Sequence, residues 1–231
     1  MLTEETFKQL EDKIEYQFKD KNLLWQALTH SSFANEQKIN KRQDYERLEF
    51  LGDAVLELVT SSFLYETHPE MPEGMLTKKR STLVCGSSLA YCAEDLELTQ
   101  YIRLGRGEET TGGRGRESIT ADVMEAIIGA IYLDGGYEKA GTFIHRFVLS
   151  DLENKELFYD SKTLLQEEVQ KDSKGTLRYE LVGESGPDHS KNFVVAARVN
   201  GTLMGRGSGK TKKAAEQQAA YETLLCMKKN R

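Results

Sequence analysis

Apolar positions recur at helical spacing over roughly the first two thirds of this chain and give way to two-residue alternation only near its end. Phe7, Leu10 and Ile14, then Leu23, Leu24, Ala27 and Leu28, mark two amphipathic helices within residues 3–30. The polar stretch Ser31 to Asp44 reads as a loop. Leu48, Leu51, Val55 and Leu58 form the apolar face of a longer helix, which runs to about His68 and stops at a break over Pro69 to Pro72. A helical pattern resumes from Leu76 through Cys92. Between Leu104 and Glu117, five glycines and three arginines cannot sustain a long helix and predict a mobile loop. Ile127, Ile128 and Ile131 line a further helix, and Ala140, Phe143, Ile144 and Phe147 line the next. Almost no strand signal precedes residue 160, so this half is expected to be all-α.

The pattern changes across Asp151 to Asp160, a charged stretch without Gly or Pro. Ser161 to Lys171 reads as a helix; Leu177, Tyr179 and Leu181 alternate as a strand, as do Phe193, Val195, Ala197 and Val199. Asn200-Gly201 suits a tight hairpin turn, and a third short strand is expected near Thr202 to Arg206. Lys212 to Lys228 closes the chain as a helix whose Ala215, Ala219 and Thr223 make a small-residue stripe fit for close packing on a sheet. The expected architecture is an all-α domain over residues 1–151, a linker over 152–160 and a small α-β-β-β-α domain over 161–231.

Charge divides along the same line. The net charge of −6 hides 18 basic against 29 acidic residues up to residue 160, a net of −11, and 13 against 8 beyond it, a net of +5. An acidic body repels a polyanion, so a nucleic-acid partner would call for cations and for the basic C-terminal part. Cys85, Cys92 and Cys226 form no C-x-x-C pair and have no His at ligand spacing, which argues against a disulfide framework or a zinc site. No apolar run approaches membrane-spanning length and the N-terminus lacks an apolar signal core. A cytoplasmic protein without membrane contact is expected.

The chemistry concentrates in two segments. In YERLEFLGDAV, Glu46, Glu49 and Asp53 stand at i, i+3 and i+7, so on a helix they leave one face while Leu48, Leu51 and Val55 take the other. Stacked carboxylates repel unless a cation sits between them. In TADVMEAIIGAIYLDGG, Asp122 and Glu125 are again one turn apart beside an apolar stripe. One such pair alone more commonly faces solvent or pairs with Arg and Lys. Two helices meeting along these faces would form a divalent-metal pocket made of oxygen ligands. Phe50 points close to the acid arc, where an apolar ring wants an apolar partner, and Glu57 lies one turn beyond Asp53 as a solvated or supporting acid. In GRGSGKTKKAAEQQAA, Lys210, Lys212 and Lys213 stand at or just before a helix N-terminus, where unpaired N–H groups already favour phosphate.

ERLEFLGD at 46–53 and D-x-x-E-A-x-x-G-A-x-x-L-D at 122–134 resemble the ribonuclease III family, enzymes that cut double-stranded RNA using Mg²⁺. The resemblance puts the metal ligands on Glu49, Asp53, Asp122 and Glu125, with Asp53 and Glu125 closest to the chemistry and Glu46 and Glu73 as supporting acids. It implies attack by water, 5′-phosphate and 3′-hydroxyl products with short 3′ overhangs, ribosomal RNA precursors and other structured transcripts as substrates, and no small-molecule cofactor; Mn²⁺ would be a possible substitute for Mg²⁺. It also implies a homodimer, for which Phe50 is the candidate interface knob, internal packing being the alternative. Tyr45 stands where the motif often has Asn, outside the carboxylate set, and so bears only on the helix start.

The C-terminal part is similar to the double-stranded RNA-binding domain, which implies that Thr163, Gln166 and Glu167 face one minor groove and His189, in the GPDH turn, the next. Arg103, Arg106, Arg114 and Arg116 are candidates for holding RNA backbone, while His30, His68 and His145 lie in or beside apolar patterns and read as structural. Two other functions compete: a duplex-RNA-binding regulator that does not cut, and a nuclease for single strands or DNA. The complete acid set opposes the first, and a duplex-RNA-binding tail opposes the second.

Overall fold

The computed structural model describes residues 4–38, 43–150, 158, 161–171, 175–186, 191–209 and 211–229, and the chain parts into two compact units, Met1–Ser150 and Asp151–Arg231. The first unit consists of α1 (Glu4–Ile14), α2 (Lys21–Ala27), α3 (Ser31–Glu36), α4 (Glu46–Thr67), α5 (Glu73–Val84), α6 (Gly86–Asp95), α7 (Arg106–Thr110), α8 (Glu117–Gly135) and α9 (Tyr137–Phe147). Short 3₁₀ turns at Leu98–Tyr101 and Gly113–Gly115 flank α7.

Helix α8 is the centre of this unit because it is apolar on nearly every side, and such a helix can only be stable when surrounded. From Ile119 to Ile131 every residue is buried except Asp122 and Glu125. Helices α2, α4, α6 and α9 pack around it. The approach of α4 is unusually close: a β-carbon on Gly129 would lie 2.2 Å from the Leu48 carbonyl oxygen, and one on Gly52 would strike the Glu125 backbone. Only glycine at both crossing positions lets the two backbones touch, and this approach sets the two acidic motifs side by side.

Four expectations are corrected by the fold. Leu58 is 55% exposed, away from the core; at about 100° per residue it has drifted about 80° from Leu48 around the helix. Within Ser31 to Asp44, α3 forms where a loop was expected, because the His30 ring accepts from the Ser32 backbone N–H at 3.1 Å and starts a turn. The pattern from Leu76 to Cys92 is two helices, broken at Cys85, whose backbone is extended with φ −69° and ψ 155°. The Gly/Arg segment carries the short α7 and a 3₁₀ turn, because its charges pair: Arg114 with Glu109, and Arg116 with Glu108.

The second unit consists of α10 (Ser161–Gln170), β1 (Leu177–Ser185), β2 (Asn192–Val199), β3 (Thr202–Gly209) and α11 (Lys212–Lys229). The strands form one antiparallel sheet in the order β1-β2-β3, with Tyr179 opposite Ala197 and Val195 opposite Gly207. Asn200 and Gly201 both take positive φ, 52° and 79°, the conformation a two-residue hairpin needs. Strand β3 runs three residues past its expected end, and Leu181 is exposed beside a bulge between Leu181 and Gly183. Val195, Ala197, Ala215 and Ala219 form one core cluster; Leu165, Val169, Ala220 and Leu224 form the other. The small-residue stripe works as expected: a β-carbon on Gly207 would lie 2.2 Å from the Ala219 nitrogen, so α11 rests almost directly on β3.

Candidate active site

Helix α4 presents Glu46, Glu49 and Asp53, and α8 presents Asp122 and Glu125. Glu49 and Glu125 are half-buried, and the charges of Asp53 and Asp122 act on both of them. The pKa of Glu125 is pushed up to about 8, first by burial and then by Asp53, Glu49 and Asp122. That of Glu49 is pushed up to about 7, again by burial first, then by Asp122, Glu46 and Asp53. Asp122 is also raised by burial, with the Tyr45 hydroxyl and His30 pulling it back. Two half-buried carboxyls, Glu49 and Glu125, whose charged forms are disfavoured by the acids beside them mark a place where a cation is favoured.

The donor set fits a hard divalent ion, since it is all oxygen and lies partly out of water. Among the described residues, no three histidine, cysteine or acidic side chains are drawn together tightly enough to grip one ion as they stand.

The remaining acids divide. Glu46 is exposed next to Glu49 and adds to its repulsion. Glu73 is exposed at the start of α5, where the Thr77 hydroxyl donates to it at 3.0 Å. Glu57 is ion-paired with Arg80 at 2.7 Å, so it belongs to the packing of α4 on α5. Phe50 is 80% exposed beside the acid arc, which leaves it without the internal packing partner considered as the alternative.

Tyr45 departs most from expectation. Its ring is buried, with 4% of the residue exposed, and its hydroxyl donates to Asp122 Oδ2 at 3.2 Å. Position 45 therefore touches the carboxylate set directly; only the fold brings it across to α8. Gly52 and Gly129 build the site without touching a ligand, and their signal in the sequence is a glycine inside each acidic helix.

The candidate arginines differ in their surroundings. Arg103 lies between the Trp25 ring at 3.6 Å and the Phe33 ring at 4.1 Å, and donates to Thr29 Oγ1 at 3.0 Å. Burial lowers its pKa to about 10. Arg106, Arg114 and Arg116 pair with Glu36, Glu109 and Glu108. Among the histidines, His30 caps α3, His68 ends α4, and His145 packs edge-on against Phe63. In the second unit Thr163, Gln166 and Glu167 share the exposed face of α10, and Lys212 and Lys213 are exposed at the start of α11, where Thr211 Oγ1 caps the Ala214 N–H at 3.0 Å. His189 and Lys210 lie outside the described residues.

The site can be set against known proteins. Residues 20–152 match the family model described as ribonuclease-III-like, and residues 161–225 match the double-stranded RNA binding motif. A protein named Ribonuclease 3 from Caldanaerobacter subterraneus subsp. tengcongensis is 49% identical over 218 residues, which is 93% of this chain and 95% of that protein. Another of the same name, from Bacillus licheniformis, is 46% identical over 228 residues, 98% of this chain and 92% of that protein. The solved nuclease domain of ribonuclease III from Campylobacter jejuni superimposes with a TM-score of 0.58 at 45% identity, covering 62% of this chain and 95% of that one. Such similarity along nearly the whole length, on a helical nuclease unit followed by a duplex-RNA-binding unit, means that the chain belongs to the ribonuclease III family and is an endoribonuclease.

Proposed function

We propose that this chain hydrolyses phosphodiester bonds of double-stranded RNA with water and Mg²⁺, Mn²⁺ serving as a substitute, and leaves 5′-phosphate and 3′-hydroxyl ends with short 3′ overhangs. Its substrates are structured transcripts, ribosomal RNA precursors among them. The observation that carries this reading is on α8, where Asp122 and Glu125 alone interrupt a buried run from Ile119 to Ile131 and face the acids of α4. A fold gains no stability from such a cluster, so its use lies in binding a cation.

Glu49, Asp53, Asp122 and Glu125 are the residues that would hold the metal. When bound, the ions neutralise phosphate charge and lower the pKa of water. Glu125, the carboxyl most disfavoured as an anion, orients the attacking water, and Asp53 sits beside it. Burial of α8 keeps Glu125 fixed while the strand is cut. In the second unit, the exposed face of α10 with Thr163, Gln166 and Glu167 reads one minor groove and His189 the next. Lys210, Lys212 and Lys213 meet the phosphates between them. Such interactions read duplex shape over sequence.

The reading includes a homodimer. Phe50, Leu58 and Tyr65 are exposed along one side of α4, at 80%, 55% and 76%, an apolar stripe that a second copy would cover by two-fold symmetry. The Campylobacter jejuni nuclease domain is described as having a region involved in dimer formation. The reading places the protein in the cytoplasm, where a structured transcript would be met. Among the described residues no helix is long and apolar enough to cross a membrane.

The test is incubation of the protein with end-labelled long duplex RNA in Mg²⁺, then with a chelator. Cutting to short duplexes with 5′-phosphate ends in Mg²⁺ only is expected. Cutting that survives chelation, or cutting of single strands alone, would refute the reading.

A further inference from the structure

We propose that Tyr45 is a positioning residue that holds the Asp122 carboxylate in place for metal binding and ties the start of α4 to α8. This rests on the reading of Asp122 as a metal ligand given above.

Tyr45 is anchored at several points before its hydroxyl reaches the acid. Its N–H donates to the Thr29 carbonyl at 2.9 Å, and its own carbonyl accepts from Leu48 N at 2.8 Å and Glu49 N at 2.9 Å. The ring is buried and meets the His30 ring edge-on, with centroids 5.6 Å apart. A phenol anchored this way has little freedom to swing aside, so its bond to Asp122 Oδ2 at 3.2 Å restrains the carboxylate that stands among the acids. Residue 45 is also the cap position of α4, yet it makes no side-chain cap bond. Asp44 supplies that bond instead, its Oδ1 accepting from Glu46 N at 3.3 Å. With capping handled by its neighbour, residue 45 is released to span the gap between the two acid-bearing helices. Groups that hydrogen-bond a ligating side chain set its orientation and affinity.

The experiment uses full-length Tyr45→Phe, which deletes one oxygen and keeps the ring. Equilibrium Mn²⁺ binding is followed by the electron paramagnetic resonance of free Mn²⁺, beside duplex-RNA cleavage over a range of Mn²⁺ concentrations. Mn²⁺ affinity should fall about tenfold or more. Half-maximal cleavage should need correspondingly more Mn²⁺, with the rate at saturating metal restored to within about twofold. In an Asp122→Asn background, Tyr45→Phe should change Mn²⁺ affinity no further, because its effect runs through that carboxylate.

Unchanged or tighter Mn²⁺ binding by Tyr45→Phe would overturn the proposal, and a lower urea midpoint beside unchanged binding would reduce Tyr45 to a packing tie. A rate lost at saturating metal with affinity intact would overturn it as well. If the unaltered protein takes up no Mn²⁺, the metal-nuclease reading itself fails and the Tyr45 assignment falls with it, an outcome separate from a difference between variants.

Discussion

A β-carbon placed on Gly52 would stand 1.8 Å from the carbonyl oxygen of Glu125. The residue before the acid Asp53 therefore lies against the backbone of the residue that carries the acid on the other helix. Helix packing of this closeness leaves no room for even a methyl group, so the acidic site exists only while position 52 has no side chain.

Gly52→Ala should push α4 and α8 apart. The expected cost is about 1–3 kcal/mol of stability from overpacking, read as a lower urea midpoint, together with weaker Mn²⁺ uptake. Wild-type values in both measurements would show that the helices can yield without moving their acids.

Glu125→Gln should abolish cleavage and leave duplex binding largely intact, while stabilising the metal-free protein at alkaline pH. Folding raises the pKa of this group from 4.5 to about 8. Between those values the folded state keeps a proton that the unfolded state has released, so stability is present below pH 4.5 and is lost as pH rises through 8. Removing the titration should gain on the order of 1 kcal/mol at pH 8 after allowance for solvent screening, and nothing near pH 4. Melting curves with chelator at both pH values make the comparison; equal melting at pH 8, or undiminished cutting, contradicts the assignment.

Metal uptake should release protons near neutral pH. Glu49 and Glu125 titrate at about 7 and about 8, so both hold part of their protons at pH 7. An ion must displace those protons to bind. Calorimetric titration in buffers of differing ionisation enthalpy should show release at pH 7 that fades by pH 9, with affinity rising over the same interval. Affinity independent of pH would separate these acids from the ion.

Phe50→Ala should shift sedimentation toward the monomer, since it removes the most exposed large apolar side chain of α4. A dimer of undiminished strength would place the interface elsewhere.

Lys210, Lys212 and Lys213 changed together to Ala should weaken binding to duplexes of every sequence and flatten its salt dependence, by about one unit of slope for each phosphate left without its lysine. Weakening confined to one RNA would show that the domain reads bases.

Much of this protein could be read from its residues in order. The spacing of Glu46, Glu49 and Asp53 and of Asp122 and Glu125 is a local property of helices, and the turn at Asn200-Gly201 is a local property of two backbones. Helix α3 was hidden because its start depends on the His30 ring turning back to the Ser32 N–H, and a histidine is an uncommon cap. The pairing of Arg114 with Glu109 and of Arg116 with Glu108 was not legible either, because a chain of letters does not show which charges meet across a folded loop.

Periodicity by itself determined the long helices of the first part, the hairpin at Asn200-Gly201 and the change from helical to alternating pattern between the two parts. Tertiary structure alone decided that α4 and α8 touch through Gly52 and Gly129, and that Tyr45 reaches Asp122 across 77 positions of chain. The physical reason is range. Hydrogen bonding and side-chain alternation along a backbone act within a turn or two, whereas the burial and repulsion that perturb Glu49 and Glu125 arise only when distant segments exclude water together.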